Sequence, residues 1–317
     1  MITVIDKLIS NYYLIKCKFY SFLKRIKLEI IDKDSFILTK KNKKVIVKKR
    51  KLTWQNPLTI KNKLDRIKFE YRNIFLVIKY FNKLEMYNGD KEIDISKEFI
   101  INYKGHKIKT DFLQLKELEY GIESYNLQYS LKKGDIVFDF GGYHGVYSIW
   151  ASAQVGETGK IYCFEPNKEN YSVLLENLEN NNITNVIPIN KGIYNQSGKI
   201  SFFKRGPGSR IIDSSFKTNT KDSICEIDVI PLSQFIKEKN ITKIDFIKAD
   251  IEGAEIEFVE DYLKNILPLG IKPRMAIASY HYRKDLGTNT SKQIAKEFKK
   301  NGIKVNIRNK KHECVFV

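Results

Sequence analysis

Residues 134–145 read G-D-I-V-F-D-F-G-G-Y-H-G. The stretch from Asp135 to Asp139 is a short apolar run between glycines, the pattern of a buried parallel strand. The glycines after it allow a tight turn and close approach of a ligand. The pattern then turns helical through Ala153, and a helix N-terminus offers free N–H groups. Outward from this unit, the spacing predicts strand 160–165, helix 168–181, strand 186–189, strand 243–249, helix 255–265, strand 274–279 and helix 291–301. Strands 303–307 and 313–317 close the chain, with helix 113–130 ahead of the first strand. Alternating strands and helices mean an open α/β sheet with right-handed crossovers. The last two strands are separated by a short turn and should pair antiparallel.

Ligands of such sheets bind at the carboxyl ends of the strands. The loop after the first strand is not the dinucleotide G-x-G-x-x-G, because Tyr143 stands where its second glycine belongs. Asp139 precedes the loop, where it would repel a pyrophosphate and attract an ammonium. The second strand ends at Glu165-Pro166-Asn167, with Glu165 26 residues after Asp139. That is near the ~20-residue offset of a carboxylate that binds ribose hydroxyls. Either acid alone reads as a polar strand end. Together they suit S-adenosylmethionine (SAM), which carries an ammonium and a ribose but no phosphate. The expected cofactor contacts are Asp139, Gly141, Gly142, Tyr143, Gly145, Glu165, Pro166, Asn167 and Asp250.

Three segments resemble the FkbM family of SAM-dependent methyltransferases: residues 134–145, F-E-P-N at 164–167, and D-F-I-K-A-D-I-E-G-A-E at 245–255. The last is the most specific, since Lys248 to Glu255 match the family's K-x-D-x-E-G-A-E. Residues 192–203 are similar to the family's turn and hairpin after the third strand. The resemblance covers residues 134–281. It implies a class I methyltransferase fold, a Rossmann-like and mostly parallel seven-stranded sheet with helices on both faces. It also implies SAM bound by Asp139, Gly141, Gly145 and Glu165, and methyl transfer to hydroxyl oxygens of sugars, glycans or other metabolites. Ser279 and Tyr280 stand where the family usually carries a glutamate just before the histidine.

A sulfonium is an activated donor, so the protein must align the acceptor and exclude water. A hydroxyl acceptor also loses a proton, which calls for a base. Asp250 ends the fourth strand and His281 follows the fifth, so both are expected at the reacting end, with His281 as proton acceptor or as a rim residue bonding substrate or backbone, and Asp250 as a base, a SAM contact or, more rarely, a metal ligand. His144 reads as a packing residue of the loop. Glu252 and Glu255 read as carboxylates complementing a helix N-terminus. No His/Asp/Glu spacing predicts a metal site.

The 317 residues are 42% apolar, enough for a packed core, and no apolar run approaches the ~18 residues of a membrane span. Charges at Asp6, Lys7, Lys16 and Lys18 break any signal-peptide pattern, and the four cysteines are far apart without C-x-x-C. A reducing, cytoplasmic setting is expected. The net charge of +19 divides into +16 over residues 1–110 and +3 over 111–317. The first part is read as a basic α+β region: an amphipathic helix over 2–27, a hairpin with a lysine-rich turn at 40–44, a helix over 61–87 and a hairpin over 99–110. Residues 111–317 are the methyltransferase domain. A basic surface attracts anionic membrane, anionic glycans or nucleic acid. The expected acceptor is a hydroxyl or carboxylate of a sugar, glycan or lipid-linked saccharide; the lysine-rich region reads either as a peripheral membrane face or as a solvated surface whose N-terminal helix packs on the catalytic domain. An RNA methyltransferase is the alternative, weakened by the lack of an Asn/Asp-Pro-Pro-aromatic motif. A non-catalytic scaffold is a third reading, opposed by the intact SAM-site residues.

Overall fold

The computed structural model of the chain describes residues 122–203, 210–211, 224–283, 286–309 and 313–317. Earlier in the chain it describes 14, 17–18, 25–30, 35–41, 43–48, 77–78, 81, 84–85, 93–94, 99–103 and 105–110. Two compact units result, Met1–Lys116 and Glu117–Val317.

In the first unit, strands β1 (Lys27–Ile30), β2 (Ser35–Lys40) and β3 (Lys43–Lys48) form an antiparallel meander. Short strands β4 (Leu84–Glu85) and β5 (Ile93–Asp94) join two different sheets. The hairpin of β6 (Phe99–Tyr103) and β7 (His106–Thr110) turns at Gly105, whose φ of 87° suits glycine. Both predicted hairpins are present. The expected helix over 61–87 does not run to its end, because Leu84 and Glu85 pair with β6. The rest of that helix and most of the one over 2–27 lie outside the described residues.

The second unit is built on a seven-stranded sheet. Its strands are β8 (Ile136–Phe140), β9 (Lys160–Phe164) and β10 (Val186–Ile189) on one side. A smaller sheet follows, from β11 (Gly192–Ile193), β12 (Gly198–Phe203), β13 (Arg210–Ile211) and β14 (Ile224–Ile230). The main sheet resumes with β15 (Phe246–Ala249) and β16 (Arg274–Ala278). A two-stranded ribbon of β17 (Tyr282–Arg283) and β18 (Thr288–Asn289) comes next, and β19 (Asn306–Asn309) and β20 (Glu313–Phe316) complete the main sheet. The spatial order is β10-β9-β8-β15-β16-β20-β19, parallel except for β20 against β16 and β19. This is the expected α/β architecture, with the strand order reversing between the parallel neighbours β8 and β15.

Helices α1 (Val146–Val155), α2 (Lys168–Asn180), α3 (Leu232–Glu238), α4 (Glu255–Asp261) and α5 (Thr290–Lys300) complete this unit. Phe138, Phe140, Phe164, Phe235 and Phe258 pack as one aromatic core between the sheet and α3 and α4. Strands buried on both faces need such continuous apolar runs. Helix α4 stops four residues short of expectation and passes through a π turn, Tyr262–Ile266, and a 3-10 turn, Leu267–Leu269, to Gly270. The expected helix over 113–130 has only Glu123–Tyr125 in α-helical form among its described residues.

Candidate active site

The loop after β8 is held open by close backbone approaches. Gly141 and Gly142 both donate their N–H to the Phe164 carbonyl, at 3.0 and 2.8 Å. A Cβ on Gly141 would lie 1.9 Å from the Asp250 carbonyl oxygen, and its φ is 77°. Any side chain there would force apart the ends of β8 and β15. A Cβ on Gly142 would lie 2.2 Å from the Cys163 sulfur, and Gly145 enters α1 with φ 83°. Tyr143 takes φ 50° despite its Cβ, and its N–H donates to Glu165 Oε2 at 2.9 Å. His144 stacks on Tyr143, and burial lowers its pKa to about 4, so it stays neutral.

Glu165 is a buried carboxylate at the end of β9. Its Oε1 accepts from the Asn167 N–H at 2.9 Å and the Asn170 amide at 3.2 Å. Burial pushes its pKa up to about 7, against the opposing pull of these donors and of Lys248. Asn167 is not at the cavity wall. Its side chain caps α2 by accepting from the N–H groups of Glu169 and Asn170.

Asp139 has a different partner from the ligand ammonium expected of it. It is 0% exposed, and Lys248 Nζ lies 2.9 Å from its Oδ1. Ser148 Oγ donates to its Oδ2 at 2.7 Å. Its charge is met inside the protein, and it acts on the loop through Lys248, which also donates to the Gly141 carbonyl at 2.7 Å. Lys248 is the residue that reasoning on loop spacing passed over.

Asp250 lies just beyond β15. Tyr125 donates to its Oδ2 at 2.5 Å, and the Tyr280 hydroxyl stands 3.2 Å from its Oδ1. Tyr280 thus occupies the stretch where the family usually has a glutamate and turns its hydroxyl to this carboxylate. Burial, then the charge of Asp250, raises the Tyr125 pKa, so its phenol remains a donor. His281 sits among three carboxylates: Nδ1 is 2.9 Å from Glu255 Oε1, and Nε2 is 3.3 Å from Glu252 Oε2 and 3.4 Å from Asp250 Oδ1. Burial alone would lower its pKa, but Glu255, Glu252 and Asp250 together raise it well above the ordinary value. His281 thus has a carboxylate near each ring nitrogen, and it stands beside Asp250 as expected. Glu255 is more than a helix-end charge. Its two oxygens accept from the Ile251 and Gly253 N–H groups, both at 3.0 Å, while it faces His281.

Several of these groups line one open cavity with about 810 Å³ of empty space, while Tyr125, Glu255, Tyr280 and His281 stand behind its lining. Gly141, Tyr143, Glu165 and Pro166 form one part, and Ile193, Phe202, Ile227 and Val229 an apolar wall. Asp250 and Glu252 form an acidic part. Of the expected contacts, Asp139, Gly142, Gly145 and Asn167 do not line it. They shape the loop and cap that do. An adenosyl sulfonium fits this lining: Glu165 for the ribose diol, the apolar wall for the base, and carboxylates for the positive charge. With three donors already on Glu165, the 3.2 Å Asn170 contact is the weakest bond for a ribose hydroxyl to displace.

The family model of the methyltransferase FkbM domain matches residues 139–305. Comparison with curated proteins gives no match. Among solved structures, the chain is similar to a SAM-dependent methyltransferase from Aquifex aeolicus, with 19% identity and TM-score 0.37 over 66% of this chain and 98% of that one. It is similar to Aeropyrum pernix fibrillarin with natively bound S-adenosyl-L-methionine, with 14% identity and TM-score 0.38 over 92% and 98% of the two chains. TYW2 from M. jannaschii in complex with AdoMet gives 16% identity and TM-score 0.35 over 74% and 89%.

Proposed function

The chain belongs to the FkbM family of SAM-dependent methyltransferases, and from that premise we propose that it is an O-methyltransferase of a hydroxyl or carboxylate on a sugar, glycan or lipid-linked saccharide. The observation that carries this reading is the acidic part of the cavity, lined by Asp250 and Glu252, with the Tyr125 and Tyr280 hydroxyls bonded to Asp250 from behind the lining. Such a surface hydrogen-bonds neutral polyols through carboxylate acceptors. It repels the phosphates of RNA, which places the RNA reading second despite the basic N-terminal region.

SAM supplies an activated methyl group when bound. Glu165 and the Tyr143 backbone hold its ribose side, and the apolar wall excludes water. Asp250 receives the proton of the acceptor hydroxyl, while Tyr125 and Tyr280 fix its carboxylate. Residues 1–110 serve as an accessory region, and the enzyme works on the cytoplasmic side, peripheral on an anionic membrane face. The run of eight cations within residues 40–51 supports that setting.

The test is methyl transfer from isotopically labelled SAM to fractionated host extracts. Label should enter the saccharide or glycolipid fraction as a methyl ether or ester. Asp250→Asn should lower that rate by ~10²–10⁴-fold, the range for a general base. Label in RNA alone would reverse the order of the two readings.

A further inference from the structure

His281, Asp250 and Glu252 are brought together from the ends of β16 and β15. One ligand atom of each lies within 4.8 Å of the other two. The separations from His281 Nε2 are 3.4 Å to Asp250 and 3.3 Å to Glu252. A tetrahedral site with bonds of ~2.0–2.1 Å to nitrogen and oxygen has ligand-to-ligand edges of ~3.3–3.4 Å. Both distances match that edge without any group moving far.

The imidazole provides a second, independent sign. It is 8% exposed, and neither ring nitrogen meets a partner in hydrogen-bond geometry. Its Nε2 points between the two carboxylates, while Nδ1 faces Glu255, which is 0% exposed and fixed by two backbone N–H groups. Metal-ligating histidines are oriented this way, with a carboxylate behind the second ring nitrogen. Nearby cations are committed elsewhere: Lys248 pairs with Asp139, and Arg283 pairs with Glu257 at 2.9 Å and donates to the Gly253 carbonyl. Asp250 and Glu252 keep side chains about a quarter exposed and line the cavity, so an ion held there has coordination positions open to it.

We propose that Asp250, Glu252 and His281 bind one divalent transition-metal cation, with Glu255 orienting the histidine. The single imidazole favours Mn²⁺, Fe²⁺, Co²⁺ or Zn²⁺ over Mg²⁺ and Ca²⁺, which prefer oxygen alone. Open positions at the acidic part of the cavity would take an oxygen of the acceptor, polarising it as a Lewis acid does, so that its proton would pass more readily to the Asp250 oxygen not bound to the ion. Metal binding itself does not depend on which acceptor is methylated.

The experiment uses the full chain, stripped with a chelator and dialysed. Mn²⁺ binding is followed by the loss of the free-ion electron paramagnetic signal, and Co²⁺ by its visible absorption. Binding of S-adenosylhomocysteine, the demethylated cofactor, is titrated separately. One Mn²⁺ or Co²⁺ should bind per chain. Glu252→Gln and His281→Gln should each weaken binding at least about tenfold, as should Glu255→Gln, within the ~10–100-fold typical of a carboxylate behind a metal-bound histidine. Glu226→Gln, at an exposed acid on β14, should change nothing. A stripped protein that binds the demethylated cofactor but neither metal overturns the proposal. So does metal binding indifferent to Glu252→Gln, whose partly exposed position keeps the test valid if the histidine variant misfolds. Failure to bind the demethylated cofactor would instead count against the methyltransferase reading, whatever the metal does.

Discussion

Glu165 shows how one side chain links burial to ligand affinity. Its carboxylate is surrounded by donors but withdrawn from water, and burial dominates, so its pKa rises to about 7. A carboxyl raised in the folded state binds protons that the unfolded chain releases. Its contribution therefore makes the ligand-free protein less stable as pH rises from about 4.5 toward 7, with no further change above. Cofactor binding has the opposite sign, because the ionised form accepts the ribose hydroxyls more strongly. SAM affinity should rise by up to about tenfold between pH 6 and pH 8, following the ionised fraction. Glu165→Gln should flatten this profile. Glu165→Ala should cost ~1.5–3 kcal/mol of binding, the range for hydrogen bonds to a charged group. Isothermal titration at several pH values measures both. A flat wild-type profile together with unchanged affinity in the alanine variant would remove Glu165 from the ribose.

Between elements, the decisive contact is Lys248 with Asp139. The two residues are register partners on adjacent parallel strands, β15 and β8, and both are buried. Removing one partner of a buried ion pair leaves an uncompensated charge, at ~3–5 kcal/mol. Lys248→Met should lower unfolding free energy in urea by that amount. Asp139→Asn combined with Lys248→Met should recover much of it, since an amide still accepts from Ser148. If Lys248→Met costs less than about 1 kcal/mol, the pair does not hold the two strands. The strand, glycine turn and helix around Asp139 were legible because they are local patterns, and Glu165 because strand ends recur at a set spacing. The partner of Asp139 was not, because it stands on another strand that only the sheet order brings alongside. The same holds for His281, whose carboxylates come from the loop after β15 and the first residue of α4. Alternation could have revealed β14, where Cys225, Ile227 and Val229 face inward between the more exposed Glu226 and Asp228. Nothing in the spacing of residues 61–87 marked the pairing of Leu84 and Glu85 with β6.

For the molecule as a whole, charge is divided as sharply as structure. Residues 1–110 carry +16 and the remainder +3. Lys40 and Lys43 stand opposite each other across the β2–β3 hairpin, and Thr39 faces Lys44. Like charges directly opposite destabilise a hairpin, and an anionic surface nearby relieves that repulsion. Lys43 has a structural task as well, since its ammonium donates to the Leu84 carbonyl and lies 5.9 Å from the Phe81 ring centre. The remaining cations of the run are Lys40, Lys41, Lys44, Lys48, Lys49, Arg50 and Lys51. Basic residues near an anionic membrane contribute ~1 kcal/mol each, and the attraction fades within a Debye length. Changing these seven to glutamine should abolish co-sedimentation with phosphatidylserine vesicles at low salt, while leaving Lys43 to hold the hairpin. Wild-type binding should fall steeply as salt is raised and should be absent on neutral vesicles. SAM binding should be unchanged in the seven-fold variant, because every residue lining the cofactor cavity belongs to the other unit. A wild type that ignores anionic vesicles at low salt would end the membrane reading and leave an anionic glycan or RNA as the partner of this charge.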